Sequence, residues 1–158
     1  MSTDILTPPA VQPISLPLWL FPPDRWENVD VSNYALMPAI GAAATIISFQ
    51  VPNGRNGIIK KIANNFVGGG WVEGSGALTW EILADGAPPP GANSYNNILT
   101  SLGSPANPVE IAGFRIFENQ IITVIVNNVA VVVAGQLSGA RLIGYLYPRD
   151  MEDVNIWI

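Results

Sequence analysis

The sequence contains no cysteine and no histidine. Without cysteine, the chain has no disulfide framework, no thiol nucleophile and no cysteine-ligated metal site. The absence of histidine removes the commonest general base of enzymes and the commonest metal ligand. Both absences argue against an enzyme, and no residue pattern in the chain indicates a bound cofactor.

Charged residues are also scarce, at 12% of the chain, and the net charge is −5. A nucleic-acid-binding protein needs clustered lysine and arginine, and Lys60–Lys61 is the only adjacent basic pair, so we expect no nucleic-acid partner. Hydrophobic residues make up 49% of the chain, which is too much for a disordered protein. Most of the chain is therefore expected to be ordered.

No apolar run is long enough to span a bilayer, which takes about 18–20 residues. The longest candidate, Ile121–Leu137, is interrupted by Asn127, Asn128 and Gln136. The start of the chain, Met1–Thr7, has no basic region and carries an aspartate, unlike a signal peptide. We therefore expect a soluble protein with no membrane partner.

Proline and glycine divide the chain into three parts. Residues 1–38 hold seven of the fourteen prolines and no glycine, whereas residues 41–148 hold all fifteen glycines. Residues 149–158 are acidic and end in an apolar tip. This division predicts an extended N-terminal arm (1–38), a body (39–148) and a C-terminal arm (149–158).

The body carries the pattern of short β-strands separated by turns, with no convincing helix. An antiparallel β-sandwich of jelly-roll type is the fold class that this regular spacing favours. A tight hairpin is predicted at Asn127–Asn128, because asparagine tolerates the left-handed conformation. The predicted strands are Ala44–Val51, Ile58–Phe66, Ala77–Ala84, Val109–Phe117, Ile121–Asn127, Val129–Ala134 and Ala140–Tyr147.

Two of these runs, Ile121–Val126 and Val129–Val133, are apolar at nearly every position rather than alternating. In an antiparallel sandwich, this pattern predicts that both faces of the strand are covered. We expect a second sheet on one side and a partner subunit on the other.

The acidic residues near the glycine-rich loops are weak candidates for catalysis. Paired carboxylates can hydrolyse glycosidic bonds, and Glu73, Glu81 and Asp85 are the acids in this region. Glu81 occupies a polar-facing strand position, however, and Asp85 is followed by glycine as in a turn. Gly68–Gly70 lacks the residues of a phosphate-binding loop.

Aromatic residues in the same region raise the alternative of carbohydrate binding. Trp71 and Tyr95 lie in loops, where exposed rings could stack on sugars. Trp80 shares a strand face with Leu78 and Ile82, which favours a place in the core. Trp71, set between glycines, could equally anchor its loop to the sandwich.

The two arms carry the stronger signal, because exposed tryptophan and leucine favour association. Prolines at 17, 22 and 23 keep the segment LPLWLFPPDRW (16–26) extended. Either the arms fold back on their own body, or they bind neighbouring subunits. The candidate protein-binding residues are Leu16, Leu18, Trp19, Leu20, Phe21, Trp26, Ile156, Trp157 and Ile158.

The chain consists, in order, of a proline-rich arm, a β-body and a short C-terminal tail. The body contains the segments QVPNGRNGIIKKIANNF (50–66) and GARLIGYLYP (139–148). In this arrangement the sequence resembles the head decoration, or cement, proteins of tailed bacteriophages. The resemblance implies a homotrimer on the outer capsid surface of a virion, made in the host cytoplasm. It also implies arms that bind neighbouring subunits and the major capsid protein. Head-fibre and tail components look similar, so a carbohydrate- or receptor-binding virion module is the alternative.

Overall fold

The computed structural model describes residues 26–89, 97–131 and 135–153. These residues form eight β-strands and a short 3₁₀ helix, and no helix among them is long and apolar enough to cross a membrane. The strands are β1 (Glu27–Leu36), β2 (Ala43–Gln50), β3 (Arg55–Val67), β4 (Leu78–Ala84), β5 (Gly103–Ser104), β6 (Asn107–Ile116), β7 (Ile121–Asn128) and β8 (Leu137–Pro148), followed by the 3₁₀ helix Arg149–Asp153.

The strands form two antiparallel sheets. The five-stranded sheet has the order β1-β8-β3-β6-β5, and the three-stranded sheet has the order β2-β7-β4. The pairs β1·β8, β2·β7 and β3·β6 are nested, so the chain resembles one long hairpin rolled into a sandwich. This nesting is the jelly-roll topology, and it confirms the fold class predicted from the sequence.

The chain crosses from one sheet to the other after β4. Ile98 exchanges two backbone hydrogen bonds with Trp80 at the edge of the three-stranded sheet. Four residues later, Leu102 pairs with Asn64 of β3 in the five-stranded sheet. The buried Asn64 side chain fixes this crossing, since it donates to the carbonyl of Thr100 and accepts from the N–H of Leu102, each at 3.0 Å. Ile98 thus takes the place of a fourth strand in the smaller sheet.

The hydrophobic core lies between the two sheets. Trp80 is fully buried at its centre, as the alternation along β4 predicted. Its indole N–H donates to the hydroxyl of Ser138 on β8, and that hydroxyl donates to the carbonyl of Asn65 on β3, both at 2.9 Å. A single chain of hydrogen bonds therefore joins the two sheets through the core.

The boundary predicted for the N-terminal arm is wrong for residues 27–36. These residues form β1, which pairs with β8 along its whole length from Glu27 to Leu36. Val29 is buried and Asp30 is exposed, which is the alternation of a half-buried strand. Residues 1–25 and 154–158 lie outside the described residues.

The hairpin predicted at Asn127–Asn128 is also wrong. The strand β7 continues through Asn128, and no strand follows it in residues 129–131. The buried amide of Asn128 instead forms a local turn, because it accepts from the N–H of Val131 at 2.8 Å and donates to the carbonyls of Val131 and Pro38. Residues 132–134 of the predicted strand lie outside the described residues.

The strand β7 faces the core with one side only. Ile122, Val124 and Val126 are buried between the sheets, while Ile121 and Ile125 point outward. Ile121 is 43% exposed, and no described part of the chain covers it. The partner subunit expected on that side stays a prediction.

Candidate functional site

The five-stranded sheet has one face toward the core and one face away from it, which we call the outer face. Along β8, Leu142 and Leu146 point into the core, while Ile143 and Tyr145 point outward and are half-buried. The pairing register places outward residues of β1, β8 and β3 side by side. The outer face is therefore a surface assembled from three strands that are distant in sequence.

An apolar row lies at one end of the outer face. Leu36 of β1 and Val67 of β3 both pair with Leu137 of β8. They are exposed by 66% and 50%, and Leu137 by 37%. Neighbouring strands are about 4.8 Å apart, so the three side chains form a continuous apolar strip. Exposed apolar strips of this kind are typical of interaction surfaces.

The next outward rung along the sheet is formed by Tyr34, Gly139 and Asn65. A Cβ atom at Gly139 would come within 2.5 Å of both the Tyr34 ring and the Asn65 side-chain oxygen. Glycine at this position therefore allows Tyr34 to lie across β8 next to the apolar row. The Asn65 Oδ1 atom is buried and accepts no hydrogen bond among the described residues.

A charged belt crosses the middle of the outer face. Arg141 donates two hydrogen bonds to the carboxylate of Asp30, at 2.6 and 2.7 Å, and a third to the carbonyl of Pro105. The hydrogen bonds from Arg141 hold the pKa of Asp30 below its usual value. One rung further along, Lys61 and Glu110 pair on the neighbouring strands β3 and β6, and both are exposed.

Beyond the belt, Trp26 packs on the outer face. Its ring centroid lies 5.3 Å from that of Tyr145 on β8, with the ring planes tilted by 46°. The Trp26 indole N–H is buried and has no acceptor among the described residues. Among the predicted arm residues, only Trp26 is described, and it contacts its own body. Leu16, Leu18, Trp19, Leu20, Phe21, Ile156, Trp157 and Ile158 lie outside the described residues.

Trp71, the candidate sugar-binding residue, is packed against the core. Its ring meets Trp80 edge-on at 5.4 Å and Phe66 edge-on at 6.0 Å. The side chain is half-buried, and its indole N–H finds no acceptor in the described part of the chain. This placement favours the anchoring of the glycine-rich loop. Tyr95, the other candidate, lies outside the described residues.

Two of the three acidic residues considered for catalysis hold loops in place through backbone hydrogen bonds. Glu73 accepts from the N–H of Ser101 at 2.6 Å, and Asp85 accepts from the N–H of Ile121 at 2.8 Å. Glu81 lies on β4, half-buried on the side of the smaller sheet that faces away from the core. Among the described residues, no group of three acidic side chains is placed to hold a metal ion.

Glu118 links two segments of the chain at the end of the sandwich opposite the apolar row. Its carboxylate accepts from the N–H of Gly54 at 2.9 Å and pairs with Arg149 in the 3₁₀ helix. The Gly54 N–H and then Arg149 lower the pKa of Glu118. This contact attaches the start of the C-terminal segment to the turn between β2 and β3.

Sequence reasoning did not identify the apolar row. Leu36 was assigned to the N-terminal arm, and Val67 and Leu137 lie just outside the predicted strands Ile58–Phe66 and Ala140–Tyr147. Only the strand register brings the three residues together. No local pattern in the sequence signals that register.

Comparison of the sequence with protein-family models and with curated proteins finds no match. Comparison with solved structures finds a chain in the "Acidic stable capsid structure of Helicobacter pylori bacteriophage KHP30". The two chains are 11% identical, and the alignment covers 76% of this chain and 92% of that one, with a TM-score of 0.41.

Proposed function

We propose that the chain is a non-enzymatic structural protein of a bacteriophage virion. In this proposal it is a decoration protein that assembles, as a homotrimer, on the outer surface of the capsid. The arms bind neighbouring subunits and the major capsid protein. The observation that carries the proposal is the exposed apolar row at Leu36, Val67 and Leu137, on a chain whose N-terminal sequence is rich in proline and apolar residues.

The physical basis of such a function is repetition of a modest contact. Burying one large apolar side chain contributes about 1.5–3 kcal/mol, so a single arm supplies only a weak attachment. A symmetric oligomer presents the same contact several times, and linked contacts bind far more tightly than one. Proline-stiffened segments also lose less conformational entropy when they bind.

Two alternatives have less support from the described residues. Catalysis by carboxylates is disfavoured because Glu73 and Asp85 already accept backbone hydrogen bonds that fix loops. Carbohydrate binding requires an accessible ring at Trp71, and that ring is packed edge-on against Phe66 and Trp80. A carbohydrate-binding virion module therefore remains the second candidate, with Tyr95 as the residue that would contact the sugar.

The experiment that tests the proposal is co-sedimentation with capsid shells assembled from the major capsid protein of the same virus. The full chain is expected to co-sediment, and a variant lacking residues 1–24 is expected to lose attachment. This variant keeps Trp26 and β1, whereas a start at Ala39 would remove the strand that pairs with β8. Far-UV circular dichroism serves as the control that the shortened body is folded.

Undiminished attachment of the shortened variant would contradict the proposed role of the N-terminal arm. The matched control is Leu99→Ala in the full chain, at an exposed leucine outside the outer face, which is expected to attach as the parent does.

A further inference from the structure

We propose that the exposed Asn53 converts spontaneously to aspartate and isoaspartate in the folded protein, whereas the fold protects Asn56 from the same reaction. Both asparagines are followed by glycine, in the segment PNGRNG (52–57). The Asn–Gly sequence favours this change, because glycine has no side chain to hinder attack by its own backbone nitrogen. The inference concerns a modification of the chain itself and does not depend on the proposed role in a virion.

The reaction needs only water besides the atoms of the chain. The backbone nitrogen of Gly54 loses its proton and attacks the side-chain carbon Cγ of Asn53. A bond forms between these two atoms, the bond from Cγ to Nδ2 breaks, and Nδ2 leaves as ammonia with the proton that the backbone nitrogen lost. Water then opens the cyclic imide. Hydrolysis at Cγ gives aspartate, and hydrolysis at the main-chain carbonyl carbon gives isoaspartate, in which the backbone continues through Cγ.

Asn53 meets the two requirements of this reaction, which are access to water and freedom of the backbone. Asn53 and Gly54 are both exposed, in the turn between β2 and β3. Gly54 has a φ of 74°, and no described atom lies within 4 Å of the place where its Cβ would stand. The turn is closed by a hydrogen bond of 3.2 Å from the N–H of Arg55 to the carbonyl of Pro52. The backbone can therefore rotate at Asn53 with the loss of few contacts.

Two neighbouring side chains contact the reacting groups. Asn119 donates a long hydrogen bond of 3.4 Å to the Asn53 Oδ1 atom, which becomes negatively charged when the nitrogen attacks. Glu118 accepts from the N–H of Gly54 at 2.9 Å, and this bond must open before the attack. A single exposed hydrogen bond is a weak restraint compared with pairing inside a sheet.

Asn56 has the same following residue but lies inside β3. It is 4% exposed, and its Oδ1 atom accepts from the backbone N–H of Glu118 at 3.0 Å. Gly57 is buried and pairs on both sides, with Ile116 of β6 and Leu146 of β8. A Cβ atom at Gly57 would lie 2.3 Å from a backbone oxygen of β8. Ring closure at Asn56 therefore requires β3 to separate from its neighbours, which a central strand does rarely.

The reaction changes the end of the sandwich at which Glu118 and Arg149 meet. Either product replaces the neutral amide of Asn53 by a carboxylate, next to the N–H group that Glu118 accepts. Isoaspartate also adds one carbon to the backbone just before Gly54. The modification thus places negative charge and a longer backbone beside the contact that holds the 3₁₀ helix.

The test follows both sites in one digest of the full chain. Trypsin cleaves after Arg55, so the two sites fall in separate peptides. Asn53 lies in peptide 26–55, and Asn56 lies in peptide 56–60. The folded protein is incubated at mildly alkaline pH, which favours loss of the proton from the nitrogen, and is then digested briefly at slightly acidic pH. Mass spectrometry detects the exchange of the amide NH₂ for a hydroxyl, and fragmentation locates it.

In the folded protein, we expect Asn53 to convert at least about tenfold faster than Asn56. In guanidinium chloride the two rates should become similar, because the same residue follows each asparagine and the fold is lost. The matched control is Asn53→Gln, since ring closure from the longer side chain is slower. In this variant the mass gain of peptide 26–55 should disappear, while peptide 56–60 behaves as in the parent.

Three results would overturn the inference. Equal rates at Asn53 and Asn56 in the folded protein would show that the fold does not select between them. An unchanged Asn53 in the folded protein, over a period in which both asparagines react in guanidinium chloride, would show that the turn is protected. A mass gain that persists in Asn53→Gln would place the reaction at another residue of peptide 26–55.

Discussion

Replacing Ser138 by alanine tests the hydrogen-bond chain that joins the two sheets. The substitution removes the hydroxyl that accepts from the Trp80 indole N–H at 2.9 Å, and Trp80 is fully buried. Leaving a buried donor without a partner costs about 1–3 kcal/mol. We therefore expect the free energy of unfolding to fall by about 2 kcal/mol, although alanine fills nearly the same space.

The assay is urea unfolding followed by far-UV circular dichroism, at one fixed protein concentration because an oligomer links stability to concentration. In thermal unfolding, about 2 kcal/mol corresponds to a decrease in Tm of about 4–8 °C for a chain of this size. Ser48→Ala, at an exposed position on β2, is the matched control and should change stability by less than about 0.5 kcal/mol. A Ser138→Ala protein as stable as this control would refute the role assigned to the hydrogen bond.

Three further predictions follow from the packing and the ion pairs. Trp71→Ala should lower the unfolding free energy by about 2–3 kcal/mol, because the ring packs on two aromatic neighbours; unchanged stability in urea unfolding would contradict its role as an anchor. Gly144→Ala should lower the unfolding free energy by more than about 3 kcal/mol, because the new Cβ would lie 2.0 Å from a backbone oxygen. Gly69→Ala has open space around it and should change stability little. The Tm values of the two variants, compared with the parent, check this. The lowered pKa of Asp30 means that its pair with Arg141 contributes stability above the unfolded pKa of about 3.9 and loses it as pH falls through the lower folded value. Unfolding measured from pH 5 to pH 2 should therefore show a smaller loss of stability for Asp30→Asn than for the parent, and equal losses would contradict the assignment.

Much of the body could be predicted because its strands alternate or are rich in β-branched residues. Pro52–Asn53–Gly54 has the residue types of a turn, and Gly54 takes the positive φ of 74° that glycine allows. The burial of Trp80 was likewise indicated by the leucine and isoleucine two positions away on either side. Local patterns of this kind report which side of a strand faces the core.

The remaining features depend on contacts between distant residues. The strand β1 contains Val29 and Val31 in alternation. Because prolines precede it, the predicted arm was extended to residue 38 and included this strand. The end of β7 is set by the buried amide of Asn128, which binds Pro38 and Val131, and a residue type alone does not reveal such partners. The outer face arises only from the register of three strands, so the sequence could not locate it.

The proposed function requires a homotrimer whose contacts lie in the body, so that the arms are available for neighbouring subunits and the major capsid protein. The most direct test is the mass in solution by light scattering, for the full chain and for a variant lacking residues 1–24. The account predicts three times the chain mass of 16.9 kDa for the full protein, and a trimer that persists without the arm. A monomer in both proteins would contradict the account.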